Sequence, residues 1–376
     1  MNEVWVTKTA VITGLGDDLE TTCTGLLDAS SAIRPLERFP TQKYITGLAS
    51  WIDDLDAETG RSRIYPLMER LLEGFGTVPP GCRLITATTK GGIDTLEKVQ
   101  VGLPGDPADL VTATLLAWLE ERFGITHPGV NINAACASST IAVARGAALI
   151  ASGRAEAVLV VCMDLVSEFV LSGFSALQAL SQEASRPFDR NRSGLSLGEG
   201  GAALLLMNGE IARREHRPCL GSVVGWGAAN DATHITAPAR DGCGLMQATR
   251  QALAKAAVTP DQIAAISAHG TGTVYNDLME LIAFRGVFGG RSLPVHSVKG
   301  AIGHTLGAAG GIEVALGLKS LNRGFLPPTV GFREPEDGAE GRVSSLAQPV
   351  TGSYLLTTNS GFGGVNAALV LKGGSA

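Results

Sequence analysis

The sequence lacks several features that would place it in a class at once. No apolar run reaches about 18 residues without a charge, so we expect no membrane-spanning segment. The opening stretch MNEVWVTKTAVITGLG has neither the apolar core nor the cleavage pattern of a signal peptide. The six cysteines stand far apart, which argues against a zinc site and against a dense disulfide framework. We therefore expect reduced thiols in a cytoplasmic protein.

An excess of positive charge is also missing. The formal net charge is −6 and no basic run is present, so bulk binding of nucleic acid is not expected. The segment TGLGDD falls short of a dinucleotide-binding fingerprint, and no metal or flavin motif occurs. Aromatic residues make up only 5% of the chain, whereas glycine occurs 48 times. That balance indicates many tight turns and close backbone approaches.

Short apolar strands alternate with helical segments along the 376 residues, a pattern typical of α/β proteins. The helical segments at 138–152 and 307–319 are apolar nearly all round, so each must be buried between layers. One such helix in each half predicts a duplicated unit. The charged connector NGEIARREHRPCL, at 208–220, divides the chain into a predicted N-terminal half (1–212) and a C-terminal half (213–376).

The stretch NAACASST, at 133–140, places Cys136 directly before the first buried helix. Buried cysteine is most often an inert core residue. At a helix N-terminus, however, backbone N–H groups and the helix dipole stabilise a thiolate, and the same N–H groups can bind an oxyanion. From this stretch alone, Cys136 is either a core thiol or a nucleophile.

Two histidines stand at similar strand-to-helix transitions. His269 ends an apolar strand in SAHGTGT, at 267–273, and His304 lies in the glycine-rich SVKGAIGHTLGAAGG, at 297–311. A lone histidine is usually structural. Two of them among glycines at such positions can converge with Cys136 on one pocket.

These motifs resemble those of the β-ketoacyl-acyl carrier protein synthases, the condensing enzymes of the thiolase superfamily. The resemblance runs from VITGLGDDLETTCTGLLDASSAI to NSGFGGVNAALVL, and the signatures NAACASS, GFSALQALS, RPFDRNRSGLSLGEGGAALLL, HGTGTVYNDLMEL and SVKGAIGHTLGAAGGIE occur in that order. It implies an α/β, five-layered αβαβα thiolase-like fold with two pseudo-symmetric halves. It also implies a dimer, either a homodimer or a heterodimer with a chain-length-factor-like subunit.

The resemblance further implies a ping-pong, decarboxylative Claisen condensation. An acyl group passes from acyl carrier protein to Cys136; malonyl-acyl carrier protein then loses CO2, and its carbanion attacks the thioester to give 3-oxoacyl-acyl carrier protein. No cofactor is expected to be bound, because the phosphopantetheine arm arrives on the carrier protein. The two imidazoles of His269 and His304 would donate to the malonyl enolate. The backbone N–H groups of Cys136 and Phe362 would bind the other oxyanion, and the Phe362 side chain would gate the thioester.

Other matching residues have implied supporting roles. Lys299 would pair with Glu313 and order the site, with structural support favoured over direct proton transfer. Asp277 and Glu280 would anchor the loop after His269. Thr271 and Thr273 would either bond the pantetheine arm or satisfy the turn. Three arginines fall where the family meets its acidic carrier protein: Arg61, Arg63 and Arg192.

The sequence departs from the family pattern in several places. It is shorter between residues 35 and 125, NSGFGG lacks one aromatic residue, and Lys90 stands near a position deep in the acyl pocket that is usually apolar or glycine. Lys90 would accompany either a polar or short acyl chain or a modified dimer contact. These departures look closer to ketosynthases of secondary-metabolite pathways, such as aryl polyene or other dissociated polyketide systems. The alternative is a catalytically silent or weakly active chain-length-factor-like partner, although such subunits usually lack the cysteine.

Overall fold

The computed structural model describes residues 1–55 and 57–374. Within them, ten strands form one continuous sheet, three short strands form a second sheet and two more pair separately. In chain order the strands are β1 (Val4–Thr13), β2 (Ile33–Pro35), β3 (Leu48–Ser50), β4 (Arg83–Ala87), β5 (Val130–Ile132), β6 (Ala157–Asp164), β7 (Leu197–Gly198), β8 (Gly200–Asn208), β9 (Gly221–Asn230), β10 (Ile263–Ser267), β11 (Val295–His296), β12 (Phe325–Leu326), β13 (Gln348–Pro349), β14 (Tyr354–Gly361) and β15 (Val365–Gly373).

Helices separate most of these strands. They are α1 (Leu19–Leu27), α2 (Ile64–Leu71), α3 (Asp94–Gln100), α4 (Thr112–Phe123), α5 (Ser138–Ala151), α6 (Glu168–Ala176), α7 (Gly209–Arg214), α8 (Cys243–Ala256), α9 (Val274–Phe288), α10 (Lys299–Ile302) and α11 (Ala309–Arg323). Single 3₁₀ turns occur at Pro107–Leu110, Pro260–Gln262 and Leu306–Ala308. Among the described residues, no helix has both the length and the apolar character needed to cross a membrane.

The large sheet is built from two copies of one pattern. Its order is β11-β10-β14-β15-β9-β1-β8-β6-β4-β5. Numbered along the chain from 1 to 5, the strands of each half lie side by side in the order 3-2-4-5-1. This order is β5-β4-β6-β8-β1 in the N-terminal half and β11-β10-β14-β15-β9 in the C-terminal half. The two halves meet where Trp5 and Val6 of β1 pair with Ser222 and Gly221 of β9. The prediction of two pseudo-symmetric halves is therefore confirmed. The boundary predicted between residues 212 and 213 falls inside α7 and stays a prediction.

The two apolar helices form the middle layer, as their lack of a polar face requires. Helix α5 packs against β4, β6 and β8 on one side and against β9 and β15 on the other. Helix α11 contacts α5, and it reaches β14, β15 and β8. Helix α2 covers the outer face of the first half, and α8 with α9 covers that of the second. The layers therefore alternate helix, sheet, helix, sheet, helix, which is the predicted thiolase-like architecture.

Close packing in the middle layer depends on small residues. A Cβ at Gly310 would overlap the Thr140 hydroxyl, and one at Gly311 would overlap the Cys162 sulfur. Neither neighbour can yield easily, because both lie in the buried core. Glycine at these positions lets the start of α11 approach α5 and β6. The N-termini of the two central helices are thereby brought together.

We expect Gly311→Ala to lower the free energy of unfolding by about 1–3 kcal/mol, because overpacking a rigid core costs more than alanine returns in helix propensity. The matched control is Gly173→Ala in α6, where a Cβ meets nothing within 4 Å. It should raise the free energy of unfolding by up to about 1 kcal/mol. Urea denaturation measures both. Equal stabilisation of the two variants would contradict the packing described for α11.

Candidate active site

Cys136 lies in a strained turn two residues before α5. Ala135 has a φ of 50°, a left-handed conformation that is uncommon for residues other than glycine. The Ser138 hydroxyl accepts from the Ala134 N–H at 2.9 Å and donates to the Ala135 carbonyl at 2.5 Å. This turn fixes Cys136 at the N-terminus of α5. Only 7% of the cysteine is exposed.

The strand end at Gly361 comes close to this turn. A Cβ at Gly361 would lie 2.9 Å from the Ala134 carbonyl oxygen and 3.1 Å from the Cys136 nitrogen, which is why glycine is needed there. The approach leaves the backbone N–H groups of Phe362 and Cys136 acting on the sulfur. These are the two donors that the family resemblance assigned to an oxyanion hole.

The electrostatics of the sulfur favour a resting thiol. Burial raises the pKa of Cys136 to about 11, while the charge of Lys299 and the Phe362 N–H act in the opposite direction. Because the thiolate is the reactive form of cysteine, the proton has to leave when the sulfur attacks. The N–H groups of Cys136 and Phe362 can then stabilise the negative charge, on the sulfur or on the carbonyl oxygen of the group that it attacks.

The loop that carries His269 is held by two buried carboxylates. Glu280 accepts from the N–H of His269 at 2.8 Å and from that of Gly270 at 2.7 Å. Asp277 accepts from the N–H of Thr271 at 3.1 Å and from that of the following glycine. Burial, reinforced by Asp277, raises the pKa of Glu280 to about 8. Both acids therefore lie where an anchoring role requires them.

His304 is fixed by backbone contacts on both sides. Its N–H donates to the Ser196 carbonyl at 2.7 Å, and its carbonyl accepts from the Gly198 N–H at 2.9 Å. Its Nδ1 accepts from the Leu306 N–H at 3.3 Å. An imidazole whose Nδ1 accepts must carry its proton on Nε2 when neutral. Asp164, which the sequence analysis missed, holds the next turn by accepting from the Gly307 N–H at 2.7 Å.

The three candidate residues converge. One ligating atom from each of Cys136, His269 and His304 lies within 4.8 Å of the others. The two imidazole rings are 5.1 Å apart between centroids and nearly perpendicular, at 83°. Burial lowers the pKa of both histidines well below its ordinary value, and the nearby Lys299 charge adds to the effect. Both imidazoles are therefore neutral near pH 7.

Lys299 and Glu313 form a buried ion pair beside these rings. The Lys299 Nζ lies 2.5 Å from Glu313 Oε1 and 2.6 Å from the His269 carbonyl oxygen. Burial raises the pKa of Glu313, whereas Lys299 and a hydrogen bond from Asn359 oppose that shift. The ammonium therefore fixes the His269 backbone, and the preference for structural support over proton transfer stays a prediction.

Asn359 is a residue that the sequence analysis missed. Its Nδ2 lies 3.0 Å from Nδ1 of His269 and 2.8 Å from Oε2 of Glu313. The available signal was the polar start of NSGFGG at the end of an apolar strand. Its partners lie 90 and 46 positions away in the chain, so no local pattern revealed them.

A cavity of about 410 Å³ opens over the three candidate residues. Thr271, Thr273 and Phe362 line it, as does Phe174. The rings of Phe174 and Phe362 stack at 5.7 Å between centroids with 28° between their planes. The structure thus brings both threonines and the candidate gating phenylalanine to the same space as Cys136.

Four other predicted residues do not lie there. The prediction of a surface contact is wrong for Arg192, because its guanidinium is buried and donates to the Thr273 carbonyl at 3.0 Å and to the Val274 carbonyl at 2.7 Å. Arg192 therefore supports the loop after His269. Lys90 is exposed and does not line the cavity of its own chain, so the pocket role predicted for it is not supported within one chain.

Arg61 and Arg63 do not line the cavity, and each pairs with a buried carboxylate. Arg61 pairs with Asp109 and lies over the Tyr65 ring, 4.1 Å from its centroid. Arg63 pairs with Asp94 and is mostly buried, with 16% of its side chain exposed. A contact between these two arginines and a carrier protein stays a prediction.

Known proteins are similar to this chain in sequence and in fold. The family described as "Beta-ketoacyl synthase, N-terminal domain" matches residues 90–212, and "Beta-ketoacyl synthase, C-terminal domain" matches residues 220–333. The chain is 29% identical to 3-oxoacyl-[acyl-carrier-protein] synthase 2 of Vibrio harveyi, over 98% of each. It is 36% identical to the tetracenomycin polyketide synthase ketoacyl synthase alpha subunit of Streptomyces glaucescens, over 68% of this chain and 62% of that relative. Among solved structures, "The ishigamide ketosynthase/chain length factor" superposes with a TM-score of 0.89 at 29% identity, covering 100% of both chains.

Lys299→Met should lower the free energy of unfolding by about 3–5 kcal/mol, because it leaves the Glu313 carboxyl buried without its partner. The matched control is Lys43→Met. Lys43 pairs with Glu168 at 2.9 Å, but 67% of its side chain is exposed, so the loss should stay below about 1 kcal/mol. Chemical denaturation of both variants provides the comparison. Similar losses would show that burial does not govern the Lys299–Glu313 pair.

Proposed function

Because the chain belongs to the β-ketoacyl synthase family, we propose that it condenses an acyl group held on Cys136 with malonyl-acyl carrier protein, giving 3-oxoacyl-acyl carrier protein and CO2. The observation that carries this proposal is the convergence of Cys136, His269 and His304 on one cavity. A cysteine hydrolase needs one histidine as a base. Two neutral imidazoles beside the thiol suit a reaction that develops negative charge on a substrate oxygen.

In the first half-reaction the Cys136 sulfur attacks the carbonyl carbon of an acyl thioester. The carbonyl oxygen becomes an oxyanion that the N–H groups of Cys136 and Phe362 would bind; their present contact with the sulfur supports this role. The bond from carbon to the pantetheine sulfur then breaks. The thiol proton of Cys136 ends on that departing sulfur, so no other acid or base is consumed.

In the second half-reaction the malonyl thioester oxygen lies between His269 and His304. When the carboxylate leaves as CO2, the electron pair of the broken carbon–carbon bond is delocalised onto this oxygen. The two imidazole N–H groups stabilise the resulting enolate. Their lowered pKa values matter here, because a neutral imidazole donates a hydrogen bond without readily giving up its proton. The enolate carbon therefore survives to attack the acyl thioester. The Cys136 sulfur leaves as a thiolate and takes up one proton from solvent, which restores the resting thiol.

The cavity suits a substrate that is delivered on a flexible arm. We infer that the phosphopantetheine arm of an acyl carrier protein enters past Thr271 and Thr273, whose hydroxyls lie 3.0 Å apart. Exposed apolar side chains line the cavity, among them Leu177, Val274 and Tyr275. Movement of Phe362 off Phe174 would open the way to Cys136, because that stack lies in the same cavity.

We infer a dimer formed through β5. This strand ends the ten-stranded sheet, so one side of its backbone has no strand partner among the described residues. Such an edge is a template for pairing with another chain. Val130 on this strand is itself an exposed apolar residue. Lys90 is exposed in the loop after β4, the strand that neighbours β5, which fits a dimer contact. The partner is either a second copy or a chain-length-factor-like subunit, and assignment to a secondary-metabolite pathway stays a prediction.

The acylation half-reaction is tested by intact-protein mass spectrometry after exposure to a panel of acyl-acyl carrier proteins. We expect a mass increase of one acyl group that is absent from Cys136→Ala. The control is Cys243→Ala, which removes an exposed thiol outside the cavity and should leave acylation intact. Acylation of Cys136→Ala, or none of the unmodified protein with short, long or unsaturated chains, would contradict the proposal. The second result would favour the silent partner subunit.

A further inference from the structure

Asn359 has every polar atom of its side-chain amide engaged in the core. It lies on β14 and is fully buried. One amide hydrogen points to Nδ1 of His269, at 3.0 Å from Nδ2, and the other to Oε2 of Glu313, at 2.8 Å. The amide oxygen accepts from the Thr140 hydroxyl.

Glu313 decides which way this amide faces. A carboxylate accepts hydrogen bonds only, so the Asn359 nitrogen must face it and the oxygen must face Thr140. The reverse orientation would place two oxygens against each other in the core, beside a charge that Lys299 already compensates. The Lys299–Glu313 pair therefore fixes Asn359 as a donor toward His269.

The donor fixes the tautomer of the imidazole. Because Nδ1 of His269 accepts from Asn359, the proton of the neutral ring resides on Nε2. His304 reaches the same state by a different route, since its Nδ1 accepts from the Leu306 backbone N–H. Both rings therefore have the same tautomer, with Nε2 as the N–H donor.

Cys136, His269 and His304 together provide the kinds of ligand atom that zinc favours. A thiolate and two imidazoles, with an open fourth position, make a typical catalytic zinc centre. Here the candidate ligating atoms lie within 4.8 Å of one another. A zinc-bound histidine must offer a lone pair to the metal, and its other nitrogen normally donates to an acceptor. At His269 and His304 the other nitrogen faces a donor instead.

We propose that Asn359 is a positioning residue that holds His269 in its Nε2–H tautomer and thereby denies zinc a binding site at Cys136, His269 and His304. To bind the metal, His269 would have to move its proton to Nδ1, directly against the Asn359 N–H. Only the use of that Nε2–H in binding the enolate rests on the proposed function. The tautomer and the metal affinity are properties of the protein alone.

The tautomer is tested first on the unaltered protein. Nitrogen-15 NMR of the imidazole rings, with His269→Gln to assign the signals, should show protonated Nε2 and unprotonated Nδ1 for His269. A protonated Nδ1 would overturn the proposal. This measurement needs no variant of Asn359, so a failure of such variants to fold cannot obscure it.

Zinc affinity is tested next, by competition between the protein and a fluorescent chelator. Asn359→Asp supplies an acceptor for Nδ1–H of His269, whereas His304 stays opposed by the Leu306 N–H. Cys136 and His269 then become available as a ligand pair, so we expect at least a tenfold gain in Zn²⁺ affinity. That gain should disappear when Cys136→Ala is added. Asn359→Leu removes the donor without adding an acceptor and should give a smaller gain. The charge control is Asn322→Asp, at an exposed position on α11, and this variant should leave the Zn²⁺ affinity unchanged.

Equal zinc affinity in the unaltered protein, Asn359→Leu and Asn359→Asp would overturn the proposal. So would a gain that survives Cys136→Ala, because the metal would then lie elsewhere. Neither readout uses an acyl or malonyl substrate. Failure of the tautomer proposal would therefore leave the condensation standing, and failure of the condensation would leave the tautomer result intact.

Discussion

The buried ion pair between Lys299 and Glu313 links the elements that carry the reactive side chains. Its ammonium binds the His269 carbonyl, and its carboxylate orients Asn359, which in turn contacts the His269 ring. Burial lowers the pKa of both histidines and raises that of Cys136; the positive charge of Lys299 adds to the first effect and opposes the second. One pair thus sets backbone position, ring orientation and charge state together. Burying two charges costs desolvation free energy. In this protein the buried pair orders the residues around Cys136.

The duplicated fold explains why these residues meet. Cys136 stands just before the central helix α5 of the first half, and His304 stands before the equivalent central helix α11 of the second. Because both helices lie in the middle layer and touch each other, their N-termini face one cavity. The same topological position therefore carries a nucleophile in one half and an imidazole in the other. His269 completes the set from the end of a strand in the second half.

The sequence revealed the parts of this arrangement that depend on local pattern. The all-apolar segments predicted the helices of the middle layer, and the alternation of short apolar strands with helices predicted the α/β fold. The positions of Cys136, His269 and His304 before helices indicated convergence. Long-range hydrogen bonds were invisible to the same reasoning. Arg192 was interpreted as a surface charge, but it is buried and donates hydrogen bonds to backbone carbonyls 81 and 82 positions away. Asn359 was missed because its role depends on a histidine 90 positions distant.

The central claim is that one centre both holds the acyl group and generates the attacking enolate. A single-turnover chase tests it: protein acylated on Cys136 and freed of excess donor is mixed with malonyl-acyl carrier protein, and both the protein mass and released CO2 are followed. We expect the acyl mass to disappear as one CO2 and one 3-oxoacyl-acyl carrier protein appear per site. His304→Ala should slow this step by about 10²–10³-fold, the usual effect of removing one oxyanion donor. An acyl group that persists on Cys136 while malonyl-acyl carrier protein remains intact would contradict the account.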